Sequence, residues 1–152
     1  MKTFKTIAAI LVFLGVIFAI ASVIAYKVEK DRWLEFKSDY DKILRGEPLS
    51  KPKVSWSGRI LEFDRIPDRK ETYILVQAYK FGHPAEPKYC FYGLAIGEVG
   101  TRVEKGDLVE VSGTFKEITT DGRPIIYSQY FDKWFYPFPN LGLEKWLASE
   151  AK

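Results

Sequence analysis

Few side chains in this 152-residue chain could carry reactive chemistry, and they do not assemble into a recognisable constellation. His83 is the only histidine and lies in the Pro-rich run Gly82-His83-Pro84-Ala85-Glu86-Pro87, with no nucleophile within local reach. Cys90 is the only cysteine, so an intrachain disulfide and a Cys-based metal site are both excluded. In its apolar surroundings it reads as a small core residue. With one His and one Cys, only carboxylates remain as metal ligands, and no acidic cluster has calcium-loop spacing. There is no phosphate-cradling glycine loop. Ser55 and Ser57 follow the N-terminal apolar stretch, but nothing beside them resembles the serine motif of membrane signal peptidases. The expectation is therefore a non-enzymatic chain with no catalytic residues, no metal and no cofactor.

Binding chemistry is better represented. Tyr73, Tyr79, Phe81, Tyr89, Phe91 and Tyr92 lie in two β-like segments, and Arg59, Arg69, Lys70 and Arg123 lie in or beside them. Rings of this kind stack on bases or sugars, and neighbouring cations hold phosphates. If Ile74, Val76 and Ala78 point inward, then Tyr73, Leu75, Gln77, Tyr79 and Phe81 face outward, joined by Tyr89 and Phe91, or alternatively by Tyr92. The competing reading has these rings covered by the chain's own helix or tail. A second aromatic group, Trp134, Phe135, Tyr136 and Phe138, is interleaved with Pro137 and Pro139 and is expected to dock on the barrel's open end or at a bilayer surface.

Charge weighs against a polyanion. Between Lys53 and Tyr136 there are 12 Lys or Arg and 12 Asp or Glu, so this region is neutral although the chain carries +3. Nucleic-acid affinity comes chiefly from phosphate neutralisation. Nucleic acid is thus a disfavoured partner, and a protein partner in a membrane complex is the leading expectation.

These residues must be positioned by four segments. Ile7 to Tyr26 is a run of 20 residues without a charge, which as a helix spans roughly 30 Å, the thickness of a bilayer's hydrocarbon core. Residues 1–26 are therefore expected to be a transmembrane anchor, with the lipid bilayer itself a partner. The alternative is a signal peptide cleaved at Ala19-Ile20-Ala21, leaving a secreted protein. The apolar run continues through Val23, Ile24 and Ala25, which favours retention, and no nearby Cys permits a lipid anchor. Lys2 and Lys5 precede the span and Lys27, Lys30, Arg32 and Lys37 follow it, so the positive-inside rule is nearly tied. A short leading tail before a first span favours a cytoplasmic N-terminus and an extracytoplasmic C-terminal domain.

Residues 27–52 read as a juxtamembrane helix and linker. Trp33, Phe36, Tyr40, Ile43 and Leu44 recur every three or four positions, a stripe expected to pack on the protein's own domain, and Gly46 and Pro48 end it. From Lys53 the period becomes two. Strands are expected over Val54–Phe63, Glu71–Phe81, Tyr89–Ile96, Asp107–Ile118 and Pro124–Phe131, with a bend at Gly58 and a hairpin at Asp121-Gly122. The run Gly82–Pro87 is expected to be an unpaired loop, and Gly97–Gly106 a short connector.

The run Lys105-Gly106-Asp107-Leu108-Val109-Glu110-Val111-Ser112-Gly113-Thr114-Phe115 resembles the fourth strand of oligonucleotide/oligosaccharide-binding (OB) barrels, and Ser57-Gly58-Arg59-Ile60-Leu61-Glu62 is similar to their bent first strand. The resemblance implies a mainly β protein with a five-stranded OB-like Greek-key barrel over 53–136 and a binding face across the second and third strands. The residues themselves place the transmembrane and juxtamembrane helices before it and an aromatic and Pro-containing tail with a short helix over 137–152. Single-stranded nucleic acid or oligosaccharide is the alternative ligand to a protein.

The layout of membrane helix plus extracytoplasmic OB barrel is similar to the haem chaperone of cytochrome c maturation. That family places a haem-attaching His and, four residues on, a Tyr past the last strand. Asp132 and Tyr136 have this spacing here, but Asp132 stands where the His would be. A carboxylate cannot reproduce attachment through imidazole, so the likeness implies shared architecture without the haem chemistry.

Overall fold

The computed structural model describes residues 1–80, 83–96 and 103–133. Helix α1 runs unbroken from Lys2 to Leu44. The expected anchor and the expected juxtamembrane helix are thus one rod, because neither Gly nor Pro interrupts the chain between Ala19 and Arg45. Its most apolar window is entirely exposed. Beyond Tyr26 the character changes: Glu29, Trp33, Phe36, Tyr40 and Ile43 are buried. These positions are spaced by three or four, so they form one face. Gly46, with φ at +70°, then reverses the chain.

The strands are β1 (Val54–Ile66), β2 (Glu71–Lys80), β3 (His83–Pro84), β4 (Cys90–Ile96), β5 (Leu108–Ile118) and β6 (Pro124–Lys133), with a 3-10 turn at Pro67–Arg69 between the first two. The sheet order is β1-β5-β6-β4-β2-β3, and an additional β1–β2 pairing closes the five long strands into an OB-like barrel. All pairs are antiparallel except β4 and β6, which are parallel.

Strand β1 makes closure feasible. Its first half pairs with β5 (Val54↔Gly113 to Arg59↔Leu108), its second with β2 (Gly58↔Ala78 to Ile66↔Glu71). The strand therefore passes from one neighbour to the other around Gly58. A Cβ at Gly58 would overlap the Gln77 carbonyl oxygen, so the side chain is missing where two backbones come together. A register shift between Ile60 and Glu62 supplies further curvature. The expected bend at Gly58 is present, and β1 extends three residues beyond its expected end at Phe63.

Two further differences have physical reasons. His83 and Pro84 pair with Lys80 and Tyr79, where the prolines suggested no pairing at all. The ladder is two residues long and sits at the sheet edge, where proline's missing donor costs little. Strand β6 continues to Lys133 because its far end keeps pairing with Val109, Glu110 and Val111. The hairpin at Asp121-Gly122 forms as expected: Gly122 has φ +80°, Thr119 N donates to Arg123 O, and the Thr119 hydroxyl bonds the Asp121 carboxylate.

The core joins helix and barrel. Ile60, Ile74, Val76, Phe91, Val109, Val111 and Ile126 fill the interior at 0–1 % exposure, and Trp33, Phe36, Tyr40 and Ile43 belong to the same cluster. The Phe36 ring sits 4.9 Å from that of Trp56 and 6.1 Å from those of Tyr89 and Phe91. The Tyr40 hydroxyl donates towards Lys88 O (2.8 Å) and Cys90 O (3.1 Å), pinning the helix to the start of β4. Trp33, Phe36, Tyr40 and Ile43 of the stripe thus pack on the protein's own domain, whereas Leu44, at the end of the helix, is 46 % exposed.

Candidate binding face

Burial fixes which way β2 faces. Ile74, Val76 and Ala78 are fully buried in the main core, so Tyr73, Leu75, Gln77 and Tyr79 project from the outer surface. Strand β4 follows through its register. Ile74 pairs with Gly93 and Val76 with Phe91, which puts Phe91 inside; Leu75 pairs with Tyr92 and Tyr73 with Leu94, which puts those two outside. Parallel pairing then carries the face onto β6, where Ile125 lies beside Tyr92 and Tyr127 beside Leu94. On the other flank Arg59 of β1 lies opposite Gln77. The outer face of β1, β2, β4 and β6 is therefore one continuous surface.

The sequence-derived candidates divide on it. Tyr73 and Tyr92 are half-buried and share the outer face. Tyr79 lies there too, 9 % exposed, its hydroxyl accepting from Arg59 Nη2 at 3.0 Å and its ring 5.9 Å from the guanidinium carbon. Arg123 pairs with Asp121 (Nε to Oδ2 3.2 Å) and lies near Tyr92. The Arg59–Tyr79 pair thus lies beside Gln77, and Tyr92 lies opposite Leu75. Arg69 and Lys70 are exposed in the turn after β1, where Lys70 takes a left-handed conformation with φ +51°.

Phe91 and Tyr89 go elsewhere. Phe91 is 0 % exposed inside the barrel, so of the two alternatives on β4 it is Tyr92 that faces out. Tyr89 is 7 % exposed and meets Trp33 edge-on at 5.2 Å, with Lys88 Nζ 4.9 Å from its ring. The helix stripe takes up both rings. Phe81, Trp134, Phe135, Tyr136 and Phe138 lie outside the described residues. Asp132 is exposed and paired with Glu110 across β5 and β6, while Tyr136 also lies outside the described residues.

Three features escaped the sequence reading. Leu94 and Ile125 join Leu75, already expected to face outward, in an apolar floor on the outer face, 1 %, 6 % and 6 % exposed, apart from the main core cluster. Tyr127, 37 % exposed, borders it. Glu29 is buried at the base of the helix stripe, where desolvation raises its pKa against the opposing pull of Arg32. Continuous apolar runs such as Tyr73-Ile74-Leu75-Val76 were the available signal, since strands covered on both faces lose alternation.

Electrostatically the face is mixed. Tyr73 Oη lies 3.4 Å from Glu71, and burial and that carboxylate raise the pKa of its hydroxyl. Among the described residues, no group of three or more His, Cys, Asp or Glu could hold a metal ion. The geometry offers stacking surfaces, an apolar floor and paired charges.

No protein-family model matches the chain, and no curated protein does. Among solved structures it is similar to a replication protein A heterotrimer bound to single-stranded DNA, at 12 % identity and TM-score 0.43, covering 68 % of this chain and 73 % of that one. It is similar also to the N-terminal domain of PriB from Thermoanaerobacter tencongensis (10 %, TM-score 0.41, 55 % and 97 % covered). A third likeness is to Schizosaccharomyces pombe Pot1pC bound to single-stranded DNA (10 %, TM-score 0.41, 69 % and 94 % covered). Identities this low say nothing of ligand.

Proposed function

We propose that this chain is a single-pass membrane protein that holds a non-enzymatic OB-like module against the bilayer, outside the cytoplasm, as the binding or assembly subunit of a protein complex. One observation carries this reading: the helix that holds the 20-residue apolar run continues without a break into the barrel core. From Tyr26 to Trp33 the rise is about 10 Å, so a retained span leaves no flexible stalk between bilayer and barrel. The module would sit at the headgroups in a fixed pose. The outer face of β2, β4 and β6 supports a protein partner, since a mixed-charge apolar surface suits a polypeptide better than a polyanion.

Crosslinking in native membranes followed by affinity capture should recover a stoichiometric protein partner, and Tyr92→Ala with Tyr127→Ala should reduce its recovery. Repeated capture of the chain alone would contradict the proposal.

A second reading is single-stranded nucleic acid or oligosaccharide on the same face. The Arg59–Tyr79 pair favours it, because it sets a cation beside an aromatic ring. Titration with labelled oligonucleotides and oligosaccharides at low and high salt separates the two. Absence of oligonucleotide binding at low salt would eliminate the nucleic-acid form.

A further inference from the structure

Four lysines gather around two touching rings just beyond the apolar run of the helix. Trp33 and Tyr89 are each 7 % exposed and meet edge-on at 5.2 Å. The Lys80 ammonium stands 5.3 Å from the centre of the Trp33 ring, and that of Lys88 stands 4.9 Å from the centre of the Tyr89 ring. Lys30 and Lys37 lie three residues before and four residues after Trp33, so they are its neighbours on the helix surface. Lys30, Lys37 and Lys88 are exposed, and Lys80 is partly so. The four come from three places in the chain: α1, the end of β2 and the segment leading into β4.

None of the four forms an ion pair among the described residues. The acidic groups of the helix are occupied elsewhere or withdrawn. Glu35 is taken by Lys51 at 2.6 Å, and Glu29 is buried, with desolvation raising its pKa. Arg32 turns away to Glu110 of β5 at 3.8 Å. Asp41 and Glu86 are near in sequence but pair with none of the lysines, so the patch keeps a net positive charge. An aromatic ring positions an ammonium without neutralising it, which leaves the charge available to an anion. Contact with the rings also restricts Lys80 and Lys88 in advance, so less side-chain freedom is lost when an anion binds.

The place of the patch selects the anion. Trp33 follows Tyr26, the last residue of the apolar run, by about 10 Å along an unbroken helix. The headgroup layer takes up roughly 5–8 Å of that distance in one leaflet. Lysines around Trp33 therefore stand at the outer edge of the headgroups, facing their phosphates. A nucleic acid or an acidic protein would have to enter the gap between barrel and bilayer to reach them.

We infer that Lys30, Lys37, Lys80 and Lys88 form a docking surface for the phosphates of anionic lipid headgroups in the leaflet from which the helix emerges. The inference rests on the reading of Ile7 to Tyr26 as a retained span, and it holds for either side of the membrane. The surface gives the barrel a second attachment besides the helix and sets which flank of it faces the bilayer.

The test reconstitutes the full chain in phosphatidylcholine vesicles with and without phosphatidylglycerol. Lysine accessibility is read by reductive methylation, whose reagents are uncharged, and mass spectrometry. With phosphatidylglycerol present, methylation of Lys80 and Lys88 should fall several-fold and recover on addition of salt. Lys116 should keep its reactivity, because its neighbour Phe115 lies beside Ile43, about 25 Å beyond Tyr26 along the helix. Equal methylation of Lys80 and Lys88 in the two vesicles, or an equal fall at Lys116, would overturn the inference. Flotation and alkaline extraction of the same vesicles tell this failure from that of the span. A chain that stays with both vesicles but shows equal methylation keeps the span and loses the docking surface. A chain extracted from both loses the span, and the docking surface with it.

Discussion

Replacing Phe36 with alanine should unfold the barrel more readily, although Phe36 lies on the helix and not on any strand. The ring is 6 % exposed and has five aromatic neighbours: Trp33 at 5.5 Å, Tyr40 at 5.4 Å, Trp56 at 4.9 Å, and Tyr89 and Phe91 at 6.1 Å each. Truncating a buried Phe to Ala costs about 3–5 kcal/mol, and the cost is greatest where the surroundings cannot collapse into the cavity. These neighbours are planar rings held by opposing strands and by the Tyr40 hydroxyl, so the upper part of that range applies. A domain is stable by about 5–15 kcal/mol in total. With a urea slope of about 2 kcal/mol/M, a loss of about 4 kcal/mol lowers the midpoint by about 2 M. The assay is urea unfolding of the chain in mild detergent, followed by aromatic fluorescence. Leu34→Ala is the control, since Leu34 is 52 % exposed on the same helix and should change stability by less than about 0.5 kcal/mol. Equal midpoints for Phe36→Ala and Leu34→Ala would refute the claim that helix and barrel share one core.

Other outcomes follow from the same packing. Tyr40→Phe strips the donor from Lys88 O and Cys90 O and should cost about 1–3 kcal/mol. Burial pushes the Tyr40 hydroxyl up to about 12. With the folded pKa above the unfolded one, that stability is complete below pH about 10 and is lost as pH rises through about 12, so absorbance at alkaline pH should show a tyrosinate titrating at about 12 that Tyr40→Phe removes. Gly113→Ala puts a Cβ onto the Tyr127 carbonyl oxygen, forcing β5 from β6 at a cost of about 3 kcal/mol or more, read as a lowered thermal midpoint. A fragment of residues 53–136 should fail to fold where 27–152 succeeds, as judged by amide dispersion in NMR. It lacks Trp33, Phe36, Tyr40 and Ile43, each worth about 1.5–3 kcal/mol by burial, together comparable with a whole domain's stability.

How much of this was legible depended on whether the signal was local. Val109, Val111 and Gly113 alternate with Glu110, Ser112 and Thr114 in sequence and in burial alike, because β5 faces the core on one side and water on the other. The helix stripe was readable for the same reason: a 3.6-residue period marks a face whatever it packs on. Phe91 against Tyr92 was not decidable, since β4 is apolar at nearly every position and only its pairing with Val76 and Leu75 fixes the parity. Tyr89 looked like a ligand-facing ring because the helix that covers it lies more than 40 residues away in sequence. The Arg59–Tyr79 pair was invisible likewise, its members meeting only through the β1–β2 register. The OB-like order was readable from the Gly106-Asp107 strand and the bent Gly58 strand, whereas closure of β4 against β6 is a non-local parallel pairing with no sequence signature.

The central claim is that the N-terminal helix is retained as a span and holds the barrel on the outer side of the membrane. Sequencing the mature N-terminus, combined with protease treatment of intact cells whose outer layers have been made permeable, tests it most directly. The account predicts a chain that still contains Ile7 to Tyr26, with the C-terminal body digested from outside while a cytoplasmic marker survives. A mature chain beginning near Ser22, or a C-terminal body protected until the membrane is opened, would contradict it.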